Sequence, residues 1–417
     1  MAERPLFFRP LTAPTLSPDE AQRLADQVRS LVTRDLAIES VQIGRDQARE
    51  GVVILRGRLL RPSHEVFPRW LAELNSRGYT PFLRPDQSGG PDQVVLHIVA
   101  GVAPRSESRV WINGVLFVAT IFTTLWTGMG YGSQVTIQTL DDLFRPSNLI
   151  QGWPFAASLL TILLAHELGH YFAARYHKLV VTLPYFIPLP IPPGLGISLG
   201  TLGAFIRLKE PVPDRRKLFD VGVAGPLAGL VIAIPLLFWG LNTSPVQLPP
   251  DSSGYWIEGN SLFYWLAKYL VFGKWLPNPT TGEDVFINAV TAAAWFGFLI
   301  TSFNLLPLGQ LDGGHTIFAL FGERARLVNR VALGGLAVMA VASLGPVQNF
   351  LPFLRYIGYE GWFVWLALIL LLIGPFHPPT LDDVTRLDTR RRWLGFLVIF
   401  IFVVIFVPVP FTMVGFP

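Results

Sequence analysis

The chain contains no cysteine. That absence excludes disulfides, a thiolate zinc site and a cysteine nucleophile, and says little about compartment, since a membrane-buried protein needs no disulfides. Charge is also scarce. Its 33 Lys+Arg and 29 Asp+Glu make up 15% of 417 residues, against about 25% in soluble domains. With 51% hydrophobic residues and a mean hydropathy of +0.44, this excludes an ordinary soluble enzyme over the whole length, and intrinsic disorder too. The net charge of +4 and pI near 9.4 do not indicate a nucleic-acid partner, because the basic residues lie between apolar segments. The first 30 residues hold no apolar run behind a charged start, so no cleaved secretory signal is expected, and their Asp and Glu argue against a transit peptide.

What is present divides at Trp111. Residues 1–110 read as a water-facing α/β domain of about four strands and two helices. Residues 111–417 read as a polytopic membrane domain, mainly α-helical. Segments of about 20 mostly apolar residues fall near 112–130, 154–175, 219–241, 285–307, 331–347, 359–376 and 393–411, which makes seven expected spans. Residues 183–204 are apolar as well, but Pro184, Pro188, Pro190, Pro192 and Pro193 forbid a regular helix. They read as a re-entrant hairpin sheltered by protein, between the second and third spans. Leu262–Phe272 is too short to span and reads as lying on the membrane surface. Fourteen Lys and Arg flank the spans on one side against four on the other, so the N-terminus is expected to be cytoplasmic and the C-terminus external.

Chemistry concentrates in the second span. His166 and His170, four apart on a helix, point two imidazoles along one face, near enough to share a zinc ion. Glu167 lies about 100° further round and can reach a water beside the metal instead of ligating it. This HExxH pattern arises by chance roughly once in a hundred chains of this length. Inside a membrane, however, a carboxylate costs about 2.5–3.5 kcal/mol, which makes a bare polar helix contact a poor account of it. Asp312 is the candidate third ligand: a lone carboxylate in the glycine-rich break Leu311-Asp312-Gly313-Gly314, although helix capping would use the same residue. Asn304 could donate to a developing oxyanion or bond to a neighbouring helix. His315 reads equally as a support for the site or as packing. His177 and His377, just outside spans, read as solvated interface histidines.

HExxH in one span with N-x-x-P-x-x-x-L-D-G-G in a later one resembles the site-2 protease family of intramembrane zinc metalloproteases. The run Gly222-Val223-Ala224-Gly225-Pro226-Leu227-Ala228-Gly229 is similar to that family's small-residue core helix. Gly203-Ala204-Phe205-Ile206-Arg207 with Pro213-Asp214-Arg215-Arg216-Lys217, and Gly309 where many members carry Pro, resemble the EGY-type branch of chloroplasts and photosynthetic or related bacteria. The resemblance is tight over residues 150–330 and implies one Zn2+ per chain, transmembrane protein substrates, and a multi-pass place in a membrane, taken as a bacterial cytoplasmic membrane. It carries no signal for oligomeric state.

On this reading His166, His170 and Asp312 hold the zinc, and Glu167 takes the proton of the attacking water and returns it to the leaving amine. A helical substrate must unwind first. Residues 197–207, including Gly203, Ala204 and Phe205, are expected to offer it a strand edge. A membrane zincin of the CAAX-processing kind would need a later ligating Glu, and only Glu360, at a membrane end, is on offer. A zinc-dependent transporter would spread charge over several spans. A catalytically silent scaffold would not need Glu167.

Overall fold

The computed structural model describes residues 18–46, 49–86, 90, 92–102, 109–131, 139, 141–192, 198–249 and 254–414. The N-terminal region holds α1 (Pro18–Val32), β1 (Leu36–Asp46), β2 (Arg49–Leu59), α2 (Ser63–Ser76), β3 (Tyr79–Pro85) and β4 (Gln93–Ala100). The strands form one antiparallel sheet in the order β1-β2-β4-β3. Apolar residues recurring every three or four positions, Leu24, Val28 and Val32 on α1 and Val66, Phe67, Trp70 and Leu74 on α2, bury one stripe of each helix against Val53, Leu55, Leu83, Leu96 and Ile98. Four strands and two helices are what the sequence predicts here.

Three helices among the described residues are long and apolar enough to cross a membrane: α3 (Val110–Gly128), the run Pro146–Tyr176, and α6 (Arg215–Asn242). The middle run joins a single turn, α4 (Pro146–Leu149), to α5 (Trp153–Tyr176). Between α5 and α6 lies the antiparallel pair β5 (Tyr185–Pro188) and β6 (Thr201–Phe205), so the proline-rich segment is a hairpin; residues 193–197 at its tip lie outside the described residues. After α6 come β7 (Val246–Gln247), β8 (Tyr255–Glu258), α7 (Leu262–Phe272), β9 (Asp284–Val285), α8 (Ala289–Asn304) and α9 (Asp312–Phe321). The chain continues through α10 (Ala325–Val341), α11 (Gly345–Phe350), α12 (Gly361–Leu368), α13 (Thr389–Ile405) and β10 (Phe411–Val414), which pairs with β8.

The helices at the other four expected spans are shorter than these three. α8 has 16 residues, α10 and α13 have 17 each, and α12 has 8, prolonged by five residues of wider turn. At 1.5 Å per residue a 16-residue helix covers about 24 Å, less than the roughly 30 Å of a bilayer core. Pro307 and the turn after Asn304 end α8, so part of its apolar run goes into the loop that leads to Asp312.

Packing is closest where side chains are smallest. A Cβ on Gly169 of α5 would lie 2.5 Å from the carbonyl oxygen of Ala224 on α6, so these helices meet backbone to backbone. α8 runs almost wholly buried beside both. α7 has an unusual polarity: Leu262, Trp265, Leu266, Tyr269 and Leu270 face outward, while Lys268 is fully buried, 3.2 Å from Asp284 and 4.8 Å from the Tyr264 ring centre. Trp275 stacks against Tyr269 at 4.4 Å.

The N-terminal sheet does not end at β3. The backbone N–H of Leu83 donates to the Leu381 carbonyl at 2.8 Å, and the N–H of Asp383 donates back to Leu83 at 3.1 Å. On its other side the same stretch donates from Leu381 and Asp382 to Val212 and Pro213, just ahead of α6. Residues 380–385 thus form a strap lying between the N-terminal sheet and the start of α6, and Leu381 is buried in the N-terminal core.

Candidate metal centre

The second half of α5 carries Leu164-Ala165-His166-Glu167-Leu168-Gly169-His170 in unbroken helix, and the four-residue spacing points both imidazoles at α6. α6 receives them with glycine. A Cβ on Gly225 would fall 2.1 Å from His170 Nε2, and one on Gly229 would fall 3.3 Å from His166 Cβ. His170 Nδ1–H donates to the Val221 carbonyl at 2.7 Å, which turns Nε2 and its lone pair toward the site.

Asp312 opens α9 and closes the group from the other side. The loop before it folds tightly under glycine: Gly309 has a φ of 52°, and a Cβ on Gly313 would lie 2.0 Å from the Leu305 carbonyl oxygen. This brings Asp312 Oδ2 to 3.3 Å from His166 Nε2 and 3.3 Å from His170 Nε2, while the two Nε2 atoms are 3.1 Å apart. All three residues are buried, with one ligand atom each in a single cluster. Ligand atoms held about 2.0–2.1 Å from a tetrahedral zinc stand about 3.3 Å from one another, so the donor set, one carboxylate and two imidazoles, fits zinc in kind and in spacing. Three protein ligands also leave the fourth position open, as a catalytic site requires.

Glu167 and Asn304 lie beside this group. Glu167 is 5% exposed, and its carboxylate lies against the backbone N–H of Ile206, the residue that follows β6. Asn304, the last residue of α8, brings Nδ2 to 3.4 Å from His166 Nε2. Gly203, Ala204 and Phe205 lie on β6, which has one strand partner, β5. Gly203 has a φ of 97° with open space where a Cβ would stand, and Phe205 stacks on Tyr185 at 5.5 Å.

Two histidines read as solvated turn out otherwise. His177 Nε2 meets Asp220 Oδ2 of α6 at 2.8 Å, and Arg391 of α13 binds the same carboxylate through both oxygens at 2.7 Å. His377 Nε2 lies 2.7 Å from His315 Nδ1, and its ring stacks on Phe318 at 4.7 Å. Neither partnership has a local signature, because the partners are 43 and 62 residues away. His315 in turn packs on α6, where a Cβ on Gly222 would lie 2.9 Å from His315 Cβ.

Residues 154–346 match the model of peptidase family M50. The chain is 27% identical over 395 residues to the probable zinc metalloprotease EGY1, chloroplastic, of Arabidopsis thaliana, covering 86% of this chain and 66% of that protein. It is 28% identical over 399 residues to the protein of the same name from Oryza sativa subsp. japonica, covering 87% and 63%. With the probable zinc metalloprotease EGY2, chloroplastic, of Arabidopsis thaliana it shares 29% over 270 residues, 64% of this chain and 44% of that one. The chain thus spans just under two thirds of the length of the first two relatives.

Proposed function

We propose, from the match of residues 154–346 to the model of peptidase family M50, that this chain is an intramembrane zinc metalloprotease of the site-2 type. On this proposal it hydrolyses peptide bonds in or near transmembrane segments of other membrane proteins. The observation that carries the reading is the near-equal spacing of His166, His170 and Asp312, at 3.1–3.3 Å.

These three residues would hold zinc, which when bound supplies Lewis acidity toward the scissile carbonyl and the attacking water. Glu167 takes a proton from that water on its carboxylate and delivers it to the departing amine nitrogen. It does so where bulk water is excluded, which strengthens each charge interaction inside. Asn304 aims an amide N–H into the same space and can donate to the oxyanion that develops on the scissile carbonyl. Leu202 and Phe205 of β6 are exposed, and this strand leads through Ile206 to Glu167. An unwound substrate added along its edge would therefore have its backbone delivered beside the proton carrier.

We propose further that the shorter helices complete seven crossings by combining with their flanking loops, with residues 1–110 as a cytoplasmic domain and residues 111–417 as the membrane domain. The N-terminal sheet sits at the end of α6 that bears Arg215, Arg216 and Lys217, which supports this orientation. Placement in a bacterial cytoplasmic membrane comes from the sequence resemblance alone, since the named relatives are chloroplastic.

The test is Glu167→Gln in detergent-purified protein with a tagged transmembrane reporter. Cleavage should fall by about 10²–10⁴-fold with one zinc per chain retained. Wild-type cleavage rates from the variant would refute the role given to Glu167.

A further inference from the structure

Asp312 has no neighbour of its own kind on α9 to hold it, and its loop is glycine-rich, so what fixes it has to be sought off the helix. Three contacts do so, all from residues 374–377. Gly309 N–H donates to the Pro375 carbonyl at 3.2 Å. A Cβ on Gly309 would lie 2.0 Å from the Gly374 carbonyl oxygen, so the two backbones lie in direct contact. His377 then pairs with His315 at 2.7 Å, one turn along α9 from Asp312 and on the same face. His315 also packs closely on Gly222 of α6. A side chain pinned between α6 and His377 sets both the rotation of α9 about its axis and its slide along α6, and these two motions carry the Asp312 carboxylate.

Three residues beyond His377 the same chain becomes the strap. Arg84 of β3 donates to the Thr380 carbonyl at 2.7 Å and pairs with Asp383 at 3.0 Å. The Asp382 carboxylate accepts the N–H groups of Val384 and Thr385 at 2.8 and 3.0 Å, and Arg215 Nε donates to the Thr385 carbonyl at 3.2 Å. One end of residues 374–385 therefore touches the metal-site loop while the other is a strand spliced onto the N-terminal sheet.

We propose that His377 is a positioning residue that sets Asp312 for metal binding through His315, and that the strap makes this placement depend on seating of the N-terminal domain. The proposal rests on the zinc metalloprotease reading, and it gives the N-terminal domain a role that reading leaves open. His377 touches neither the ligand atoms nor a substrate, so its influence should appear first in how firmly zinc is held.

The experiment uses the full chain in detergent and measures the concentration of a competing chelator that removes half the bound zinc. His377→Phe keeps the ring on Phe318 and deletes the hydrogen bond. It should weaken zinc retention by about 10–100-fold, while the zinc-free protein still unfolds in one cooperative transition at a slightly lower melting temperature. His377→Gln, which restores a polar atom toward His315, should recover most of the loss. Arg84→Ala, at the far end and clear of both histidines, should weaken retention by about 2- to 30-fold, and it carries the test if His377→Phe does not fold. Retention curves for His377→Phe and Arg84→Ala that superimpose on wild type overturn the proposal while leaving the zinc reading intact. A wild-type protein that binds no zinc overturns both.

Discussion

Replacing Gly225 with alanine tests the metal centre from the side of the helix that contributes no ligand. The added methyl would stand 2.1 Å from His170 Nε2, 2.4 Å from Cδ2 and 2.5 Å from Cε1. Non-bonded carbons and nitrogens settle near 3.5 Å, so the ring must withdraw by about 1.4 Å. It has little freedom to do so, since Nδ1 is bound to the Val221 carbonyl at 2.7 Å and α5 and α6 already touch at Gly169 and Ala224. Zinc ligation tolerates about 0.2 Å, so the displacement removes one ligand of three. The folding cost of such overpacking is about 1–3 kcal/mol, small enough for the protein to be purified. Gly225→Ala should therefore yield folded protein with far less than one zinc per chain and reporter cleavage reduced at least about 100-fold. Gly229→Ala is the internal control: its methyl would sit 3.3 Å from His166 Cβ and 3.4 Å from Nδ1, a contact that a few tenths of an ångström relieve. Metal analysis and cleavage rates for the pair decide the matter. A Gly225→Ala protein that keeps a full zinc and wild-type activity would refute the reasoning.

Other expectations follow from equally specific contacts. Lys268→Met strips the partly buried Asp284 of its fully buried cation, and breaking such a pair from one side should cost up to about 3–5 kcal/mol, read as a fall in melting temperature with zinc content unchanged. Asp214→Ala removes the cap whose side chain accepts the N–H groups of Arg216 and Lys217 at 2.9 and 3.0 Å. This should destabilise by about 0.5–2 kcal/mol, visible in chemical denaturation. Ala204→Pro deletes a backbone donor on β6, and cleavage should drop while zinc stays bound; unaltered cleavage would exclude strand addition at that edge.

The histidine pair of the centre was legible because it is local. A four-residue spacing in a regular helix fixes the relation of His166 to His170, and only one carboxylate follows a polar break in a long apolar region at Asp312. The N-terminal elements were legible for the same reason, since α2 is written in apolar periodicity and β4 in a short apolar run. Span lengths were not. Apolarity marks what avoids water and does not say where a helix stops, so the run at 285–307 was read through the turn at Leu305 that ends α8. The partners of His177 and His377 were hidden because α6 and α9 contribute them from distant sequence. The strap was equally invisible: Leu381 and Asp382 owe their extended form to hydrogen bonds borrowed from Leu83, Val212 and Pro213, none of which is near in the chain.

α7 turns its oily side outward and buries its ammonium, so an α7 that floats at the lipid boundary acts as a waterline mark for the whole molecule. α8 starts nearby at Asn288, which caps it, and its 16 residues rise about 24 Å to Asn304 at the metal centre. Altitude above that floor is then a constant of the fold, and under the proposed function the bond severed in a substrate helix would be chosen by its height in the bilayer as much as by the side chains that flank it.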